Sequence, residues 1–594
     1  MSADPSLAIQ QALRLALQRY QAGRPRDADE LYRFVLTLEP GHPEALHNLG
    51  VIAYQVGHYE RAIAWLQKAI AVKPRDPGRH FHLGETFRAM NRLDDAMASY
   101  QRALELQPSY PEAHNGLGTA LAGLGRREEA MAAYRRALEL KPNYPDAHNK
   151  LAITLAAQGR LDEAVATFRQ ALEIAPEYPE THINLGNALN AVGRPEEAVA
   201  SFRRALQIQP DLVAAHYNLG NTLRDQGHPD EAAACYRQVL KLSPRFPDAH
   251  LGLGLIAWRE GNFHEAEAQY RAAIASRRDF ATAHLNLALL LLLLGRYAEG
   301  WPEYEWRWRT PEYARHLRTL SIPLWNGTRA PGKTILIHAE QGFGDALLFS
   351  RYLPLVRAHS GAARVILECQ PELLPLLRQL QGVEIEVIAR SEADNALPSF
   401  DLHLPLFSVP LALRSFAPVS APAYLEADEG LRARWRERLG PANRPRVGLA
   451  WAGNPGQRDD RRRSIAPEKL APILGVPGIL FVSLQVEPRG PLPPLLGSAN
   501  VLDLTAHIAD FADSAALIAE LDLILTVDTA TAHLAGALGR PTWVLAPFVP
   551  YWPYGLGRED TPWYPTMRLF RQTVVGDWDT AIERVASALR DWRV

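Results

Sequence analysis

A 34-residue period governs the first half of the chain and limits what that half can fold into. Prolines keep this interval at Pro40, Pro74, Pro108, Pro142, Pro176, Pro210 and Pro244. Glycines keep it at Gly23, Gly57, Gly125, Gly159, Gly193, Gly227, Gly261 and Gly295, and Asn91 takes the one missing place. Asparagine is the residue that best tolerates the left-handed backbone conformation of glycine, so the pattern predicts a turn between two helices. A period of this length indicates repeated helix pairs.

Small and aromatic residues recur within each period. Alanines stand at Ala62, Ala96, Ala130, Ala164, Ala198, Ala232 and Ala266. Aromatic residues follow at Tyr100, Tyr134, Phe168, Phe202, Tyr236 and Tyr270. Small residues let helices approach closely, and aromatic rings fill the adjoining groove. In these positions residues 9–309 resemble the tetratricopeptide repeat, which implies about nine units stacked into a superhelix with a concave groove.

The last unit departs from the repeat pattern. The segment EGWPEYEWRWR has Gly300 in place of the alanine and Arg307 in place of the later small residue. We predict that this unit is a cap that docks onto the part of the chain that follows.

Histidines form one ladder along the repeats. They stand 34 residues apart at His80, His114, His148, His182, His216, His250 and His284. Neighbouring rungs are about one repeat apart, on the order of 10 Å, which is too far for one metal ion to bridge with bonds of about 2 Å. We expect these histidines to be packing residues.

Asparagines form a second ladder. It has two positions, three residues apart on the same helix face. Asn48, Asn184, Asn218 and Asn286 share the first position, and Asn187 and Asn221 share the second. Asn184, Asn187, Asn218 and Asn221 are called here the groove asparagines. A carboxamide both donates and accepts hydrogen bonds, so it can pair with any peptide unit. In superhelices that this region resembles, including that of the eukaryotic O-GlcNAc transferase, such asparagines hold an extended peptide. The alternative is a solvated helix face, because His82, Gly116, Lys150 and Gly252 interrupt the ladder.

After Arg309 the period ends and strands alternate with helices. Continuous apolar runs predict parallel strands at 333–339 and 363–369, and further strands follow in GVEIEVIA and FDLHLPLFSVPLAL. A second set is predicted at 446–453, 479–485, 501–505, 521–528 and 541–547, and DWDTAIERVASALRDW closes the chain as a helix. The proline-rich segment 415–429 between the two sets has the composition of an interdomain linker. Two Rossmann-like halves around a cleft are expected, with ligands at the carboxyl ends of the strands.

Composition excludes several other classes of protein. The formal net charge is −2, which argues against a protein that binds nucleic acid by neutralising phosphates. Cys235 and Cys369 occur in unrelated contexts, as expected of reduced thiols. The first ten residues lack the features of a signal peptide, and the longest apolar run, from Leu287, is about half a membrane span. The sequence therefore predicts a cytoplasmic protein without a transmembrane segment.

Three segments in the second half carry a family resemblance. They are QGFGDALLFSRYLP (341–354), RDDRRRSIAPEKLAPIL (458–474) and LTVDTATAHLAGALGRPTWVLAPF (525–548). In this order they are similar to the motifs of family 9 glycosyltransferases, the lipopolysaccharide heptosyltransferase family, over roughly residues 333–594. Together with the repeats, the whole chain resembles bacterial repeat-containing glycosyltransferases, a group that includes enzymes modifying flagellins. The implied fold of the second half is GT-B, although fold alone does not establish activity.

The first motif supplies the predicted base. The motif is predicted to be a strand and a helix joined by a turn with Gly342 and Gly344, an arrangement that often binds phosphate. This turn, however, matches neither common phosphate-loop pattern, and it contains the negatively charged Asp345. Glycosyl transfer with inversion needs a base that takes the proton from the acceptor hydroxyl. The resemblance implies that Asp345 is this base, and the two glycines are expected to leave room for the acceptor. The alternative is that Asp345 only caps the helix.

The other two motifs supply the predicted donor site. Thr529 opens a helix whose amides suit a diphosphate, Asp528 is expected to accept hydrogen bonds from sugar hydroxyls, and His533 to donate to a phosphate oxygen. The alternatives are an N-cap for Asp528 and a packed core histidine for His533. The resemblance implies a phosphate contact at Arg463, with Arg461 and Arg462 as alternatives, because arginine pairs bidentately with phosphate.

Three further assignments complete the donor side. Either Ser464 or the amides of AGNPG (452–456) are expected to assist Arg463, and Gln485 is placed near the base or ribose by position alone. The DWD segment at 577–579 resembles a metal-binding motif of another glycosyltransferase fold but is more simply a helix N-cap. GT-B enzymes of the kind that the chain resembles typically need no metal, because helix dipoles and arginines stabilise the leaving diphosphate.

The predicted architecture is an α-solenoid followed by an α/β part with the GT-B fold. The domains are a repeat superhelix over 1–309, an acceptor half over 310–428 and a nucleotide-sugar half over 429–594. The predicted function is inverting transfer of sugar from a nucleotide donor to a protein hydroxyl, with the repeat groove recruiting the polypeptide. No cofactor beyond the nucleotide-sugar co-substrate, no metal and no nucleic acid are expected. The alternatives are a transferase acting on a lipid-linked or surface glycan, and a repeat scaffold whose transferase domain is inactive.

Overall fold

The computed structural model describes residues 5–315, 318, 320–381, 384–390, 397–421, 423–456, 460–486 and 500–593. The chain divides into two compact units, Met1–Pro244 and Arg245–Val594. Parts of three predicted segments lie outside the described residues: 457–459 of the charged segment, Pro422 of the linker and 382–383 before the third strand.

Helices account for nearly all of the first unit. They are α1 (Pro5–Gln21), α2 (Pro25–Leu38), α3 (Pro43–Gln55), α4 (Tyr59–Val72), α5 (Pro77–Ala89), α6 (Leu93–Leu106), α7 (Pro111–Gly123), α8 (Arg127–Leu140), α9 (Pro145–Ala157), α10 (Leu161–Ile174), α11 (Pro179–Ala191), α12 (Pro195–Ile208), α13 (Val213–Asp225) and α14 (Pro229–Leu242). The predicted turns inside each pair are confirmed. Their glycines have positive φ, for example +78° at Gly125, and Asn91 adopts the same conformation with φ of 58°.

The packing of each pair follows from the small and aromatic residues of the period. Alanines such as Ala130 and Ala198 are completely buried between helices. A Cβ on Gly118 would lie 2.6 Å from the ring of Tyr134, and one on Gly186 would lie 2.5 Å from the ring of Phe202. Only glycine at these places lets the aromatic ring of the second helix pack directly on the backbone of the first.

The odd-numbered helices of the first unit form its inner row. From α3 to α13, each odd-numbered helix contacts the next odd-numbered helix directly, and each even-numbered helix contacts the odd-numbered helix that follows it. This arrangement gives the stack a concave side lined by odd-numbered helices. The groove asparagines lie on two of them, α11 and α13.

The second unit begins with two further helix pairs. These are α15 (Pro247–Arg259), α16 (Phe263–Ser276), α17 (Ala281–Leu293) and α18 (Tyr297–Tyr304), followed by a 3-10 segment (Glu305–Arg309) and α19 (Pro311–Ala314). With the seven pairs of the first unit they make nine helix pairs among the described residues.

All ten strands of the described residues belong to the second unit. They are β1 (Thr334–His338), β2 (Arg364–Cys369), β3 (Glu386–Ala389), β4 (Leu402–Pro405), β5 (Arg446–Ala450), β6 (Leu480–Ser483), β7 (Val501–Leu502), β8 (Leu523–Val527), β9 (Thr542–Ala546) and β10 (Met567–Arg571). The helices between and after them are α20 (Phe343–Ser350), α21 (Leu353–Ser360), α22 (Leu374–Leu377), α23 (Val409–Ala412), α24 (Glu429–Leu439), α25 (Asp460–Arg463), α26 (Ala471–Leu474), α27 (Phe511–Ala519), α28 (Ala530–Ala537) and α29 (Trp578–Asp591).

The strands form two parallel sheets. The first has the order β3-β2-β1-β4 and the second the order β10-β9-β8-β5-β6-β7. Numbered from its own first strand, each sheet contains a doubly wound pattern, in which strand order reverses beside the first strand. The reversal lies between β1 and β4 in the first sheet, and between β5 and β8 in the second. Ligands of such sheets bind at the carboxyl ends of the strands beside these switch points.

One strand was missing from the sequence prediction. Strand β10 pairs in parallel with β9 at the edge of the second sheet. Met567, Leu569 and Phe570 are buried, whereas Arg568 is exposed, so the segment lacks the continuous apolar run of the central strands. A partly solvated edge strand needs no such run.

The linker and the closing helix match their predictions. Residues 415–421 and 423–428 form no helix or strand, and α24 begins directly afterwards with Asp428 as its N-cap. The linker is nevertheless anchored, because the amides of Tyr424 and Leu425 both donate to the carbonyl of Ala537. Within the described part of the chain, no helix is long and apolar enough to cross a membrane.

Candidate active site

The sequence-predicted residues of the second unit gather at the switch points of the two sheets. Asp345 lies on α20, which follows β1. Arg463 follows β5, and Asp528 directly follows β8. These three residues, with Tyr551, are called here the carboxylate cleft. The topology places them at the edge where doubly wound sheets bind their ligands.

Asp345 is held by groups from both sheets. The hydroxyl of Tyr551, in the loop after β9, donates a hydrogen bond of 2.6 Å to Oδ1 of Asp345. The backbone N–H of Gly342 donates to the same carboxylate. Burial raises the pKa of Asp345, and these two hydrogen bonds and the charge of Arg463 oppose the rise. A carboxylate with a raised pKa is a stronger base than one in water.

The capping alternative for Asp345 is wrong in its simple form. Helix α20 begins at Phe343 and its N-cap is Gly342, so Asp345 is the third residue of the helix. From this position its carboxylate reaches back to the N-cap amide, as in half of a capping box. That contact uses only part of the hydrogen-bonding capacity of a carboxylate.

The two glycines of this turn serve different purposes. Gly342 is exposed, and a Cβ there would meet only Oδ2 of Asp345, at 3.5 Å. A Cβ on Gly344 would lie 2.8 Å from Cδ2 of His533 and 3.4 Å from Cα of Ala530. Glycine at 344 therefore lets α20 pack against α28. The expectation that Gly344 leaves room for an acceptor is wrong.

Asp528 is a buried carboxyl close to Asp345. It is 8% exposed, and burial raises its pKa to about 6. Arg463 and the hydroxyl of Tyr554 oppose this rise in pKa, while the negative charge of Asp345 adds to it. The N-cap of α28 is Thr529, so the capping alternative for Asp528 is also wrong.

Thr529 opens α28 as predicted. Its backbone is extended, with φ of −143°, and its hydroxyl lies 3.3 Å from that of Thr526 and 3.4 Å from the carbonyl of Val527. The half-buried Thr529 side chain thus stands at the carboxyl end of β8 beside Asp528.

Of the three arginines at 461–463, Arg463 is the one whose charge affects the carboxyls of the cleft. Its charge affects the pKa of Asp345, Asp528 and His533, whereas Arg461 and Arg462 are exposed. The guanidinium is seated over the backbone after β5, because a Cβ on Gly453 would lie 2.8 Å from its Nε. Asp460 approaches this Nε at 3.6 Å.

Ser464 and Gln485 hold the loop after β5. The Ser464 hydroxyl accepts from the amide of Gly453 at 3.0 Å and donates to Oδ1 of Asp460 at 2.9 Å. Oε1 of Gln485 accepts from the amides of Trp451 and Ala452, at 3.2 and 3.0 Å. Their observed contacts position the loop, which is a different role from the donor contacts expected. The amides of Ala452 and Gly453 thus already donate to side chains inside the protein.

His533 matches the alternative of a packed core histidine. It is 3% exposed, its Nδ1 lies 3.1 Å from the hydroxyl of Tyr564, and its ring stacks on that of Tyr554. Burial is the main cause that lowers the pKa of His533 to about 3, with the charges of Arg351 and Arg463 acting in the same direction. The imidazole is therefore neutral and joins α28 to the aromatic residues of the cleft.

The last repeat supports the loop that leads to Asp345. Arg307 is completely buried, and its Nη2 contacts Oε1 of Glu340 at 2.9 Å. Nε2 of Gln341 donates to the hydroxyl of Tyr304 at 2.8 Å, and Trp301 packs edge-on against Phe349 of α20. The predicted docking of the cap is confirmed.

The DWD segment and the histidine ladder, which the sequence weighed as possible metal sites, have other roles in the structure. Asp577 is the N-cap of α29 and accepts from the amide of Thr580, so the DWD segment is the predicted cap. Among the residues that the structure describes, no three His, Cys, Asp or Glu side chains are grouped so as to hold a metal ion. In the first unit the histidine ladder consists of packing residues, since each ring nitrogen Nε2 contacts the carbonyl six residues earlier. These pairs, at 2.8–3.0 Å, are His80–Pro74, His114–Pro108, His148–Pro142, His182–Pro176 and His216–Pro210.

The groove asparagines form hydrogen-bonded pairs between repeats. Nδ2 of Asn218 donates to Oδ1 of the exposed Asn187 at 2.9 Å, and Asn184 donates to Asn149 at 3.4 Å. Asn221 accepts from the hydroxyl of Tyr236 at 2.7 Å. Each carboxamide retains further donor and acceptor capacity for a peptide.

Sequence reasoning missed Tyr551 and the Arg307–Glu340 pair. Tyr551 and Asp345 are 206 residues apart, so only the docking of the two sheets brings them together. One available signal was the run FVPYWPYGLG directly after a buried strand, where aromatic residues and prolines meet the carboxyl end of a parallel sheet.

Comparisons with known proteins agree with the repeat architecture. The family model of the cilia and flagella-associated protein 70 C-terminal domain, CFAP70_TPR_C, matches residues 6–250, and a tetratricopeptide repeat model matches residues 255–305. The chain is thus a tetratricopeptide-repeat protein with two parallel sheets in its second half.

Individual relatives cover only part of the chain. Protein FlbA of Caulobacter vibrioides is 32% identical over 326 residues, which are 50% of this chain and 53% of that protein. The chain therefore spans about half the length of this curated relative. YrrB, described as a TPR protein with an unusual peptide-binding site, is 24% identical with a TM-score of 0.27, covering 31% of this chain and 95% of its own. TTC0263, a thermophilic TPR protein of Thermus thermophilus, is 31% identical with a TM-score of 0.27, covering 31% and 99%.

Proposed function

We propose that this chain is an inverting glycosyltransferase that moves a sugar from a nucleotide-sugar donor to a hydroxyl of a polypeptide. The observation that carries the proposal is the carboxylate cleft. Asp345 and Asp528, whose pKa values are raised, interact with Arg463 at the switch points of the two doubly wound sheets. Perturbed titratable groups in such a position are typical of active sites. The family resemblance of the three motifs supports the same chemistry.

Asp345 acts as the general base in this proposal. The acceptor O–H bond breaks, its proton moves to the Asp345 carboxylate, and the oxygen forms a bond to the anomeric carbon. The bond from that carbon to the donor phosphate oxygen breaks, and the electron pair leaves with the nucleoside diphosphate. Attack on the face opposite the leaving group inverts the configuration of the sugar.

Arg463 and the start of α28 receive the donor phosphates. Arg463 supplies a delocalised positive charge that pairs with phosphate oxygens, and the α28 N-terminus beside Thr529 favours negative charge. A cavity of about 310 Å³ lies beside the segment that carries Arg463, and its lining includes Asp460, Arg461 and Ser464. Asp528 accepts hydrogen bonds from donor hydroxyls, a role that its burial beside Arg463 supports.

The repeats recruit the polypeptide. The groove asparagines present amide groups on the concave row of α11 and α13, where an extended peptide backbone finds both donors and acceptors. The repeat architecture supports a role in binding a protein partner, and the asparagines supply a contact that does not depend on the peptide's side chains.

A donor screen followed by acceptor detection tests the proposal. Purified full-length protein is screened by thermal shift against nucleotide sugars that differ in base and sugar, and polypeptide masses are then followed in lysate. We expect one donor to raise the Tm and a polypeptide to gain the mass of one sugar. The Tm rise is expected to disappear in Arg463→Ala and to persist in Arg462→Ala, because the charge of Arg463 acts on Asp345 and Asp528 whereas the Arg462 side chain is exposed.

The other outcomes decide between the alternatives. A donor-dependent rise in Tm without a gain of mass on any acceptor supports a repeat scaffold with an inactive transferase domain. A gain of mass on a lipid-linked glycan supports the glycan transferase. Absence of any donor-dependent stabilisation contradicts the proposed donor site.

A further inference from the structure

Tyr551 makes the closest contact to the proposed base, yet the proposed chemistry does not use it. Its hydroxyl donates to Oδ1 of Asp345 at 2.6 Å, from a loop of the other sheet. A hydrogen bond to an ionised oxygen is short and roughly twice as strong as one between neutral groups. The contact therefore joins the two sheets at the atom that would take the acceptor's proton.

The Tyr551 ring is fixed by its neighbours. It packs edge-on against Trp552, with ring centroids 5.5 Å apart, and against His533 at 6.0 Å. Trp552 in turn packs against Trp301 at 5.5 Å and Trp563 at 5.2 Å. A phenol held in this way is preorganised, so its hydrogen bond can orient the carboxylate at no further entropic cost.

We propose that Tyr551 is a positioning residue for Asp345: its hydroxyl fixes the carboxylate in one orientation and stabilises the ionised form for proton removal. The inference rests on the proposed role of Asp345 as the base. One oxygen of the carboxylate holds the phenol, and the remaining lone pairs receive the acceptor's proton. Tyr551 itself transfers no proton, and burial beside Asp345 raises its pKa well above its ordinary value.

The electrostatic surroundings agree with this role. Among the described residues, the titratable and charged groups that interact with Asp345 or lie against its turn include Tyr304, Tyr313, Arg463, Asp528, His533 and Tyr551. The hydrogen bond from Tyr551 lowers the pKa of Asp345 against the effect of burial. Removing the hydroxyl is therefore expected to raise that pKa.

The first test is the pH profile of kcat in Tyr551→Phe. We expect its acidic limb to move upward by about one pH unit, so that below the limb kcat falls about tenfold more than it does on the plateau. Tyr352→Phe is the control, because Tyr352 is also a tyrosine inside the second unit and its hydroxyl has no hydrogen-bond partner in the described part of the chain. The control profile keeps its position. An acidic limb that stays at its wild-type position in Tyr551→Phe overturns the proposal.

The second test needs no turnover. A folded pKa raised further above the unfolded value makes ionisation more costly to the fold, so the loss of stability in Tyr551→Phe grows as pH rises through that pKa. Between pH 4.5 and pH 8 the Tm difference from wild type is expected to widen by about 2 °C, and in Tyr352→Phe to stay constant. A constant difference in Tyr551→Phe overturns the proposal. Failure of the proposed function shows separately, as absence of transfer by the wild-type protein.

Discussion

The buried ion pair between Arg307 and Glu340 gives the sharpest prediction about how the last repeat supports the active-site loop. The Arg307 side chain is 0% exposed and that of Glu340 1%, with 2.9 Å between Nη2 and Oε1. Arg307 also contacts Glu305 and Ser408. Removing one partner of a buried pair leaves an uncompensated charge, which costs about 3–5 kcal/mol, whereas replacing both by apolar residues is often neutral or stabilising.

The loss of folding stability in Arg307→Met should depend on pH. Burial raises the pKa of Glu340 to about 7, and Arg307 opposes this rise. Without Arg307 the folded pKa is higher still, so the folded variant retains a proton that the unfolded chain releases. The free energy of unfolding of the variant then falls relative to wild type by up to ~1.4 kcal/mol for each pH unit above about 7. Between pH 6 and pH 8.5 the deficit is expected to widen by about 2 kcal/mol.

Denaturant unfolding followed by tryptophan fluorescence measures this deficit. Only Trp65 of the 13 tryptophans lies before residue 245, so the fluorescence reports mainly on the second unit, which contains Arg307 and Glu340. The matched control is the double variant Arg307→Met/Glu340→Leu, which is expected to recover most of the loss at both pH values. A deficit below about 1 kcal/mol in the single variant, or an equal deficit at pH 6 and pH 8.5, would refute the reasoning.

Two further predictions concern packing and the repeat groove. Gly344→Ala is expected to lower the free energy of unfolding by about 1–3 kcal/mol, because the new Cβ would overpack the His533 ring at 2.8 Å. Gly342→Ala, measured in the same denaturant titration, should cost less than about 1 kcal/mol, and equal losses would contradict the assigned packing. Simultaneous replacement of the groove asparagines by alanine should weaken binding of the acceptor polypeptide at least about tenfold in a Kd measurement. The exposed control Asn143→Ala should bind as wild type does, and unchanged affinity in the quadruple variant would contradict peptide binding there.

The repeats were predictable because each unit carries its own local information. Pro, Gly and Ala recur at fixed places, and even the exception at Asn91 follows from backbone conformation. The central strands were predictable because burial on both faces demands continuous apolar runs. Strand β10 was not predicted, because its position at the sheet edge tolerates the exposed Arg568, which interrupts the apolar run.

The site was predictable where its residues lie in motifs, as Asp345, Arg463 and Asp528 do. Its neighbours were not, because the partners of these residues are determined by packing across long stretches of chain. The reason for glycine at 344 lies in α28, and the partner of Asp345 lies in the loop after β9. No spacing in the sequence encodes those distances.

Turnover of Asp345→Asn tests the central claim most directly. The substitution keeps the size of the side chain but removes the base, so kcat is expected to fall by ~10²–10⁴. Donor-dependent stabilisation should persist, because Arg463 and the start of α28 remain in place. Near-wild-type turnover by this variant would contradict the assignment of Asp345 as the base and, with it, the proposed mechanism.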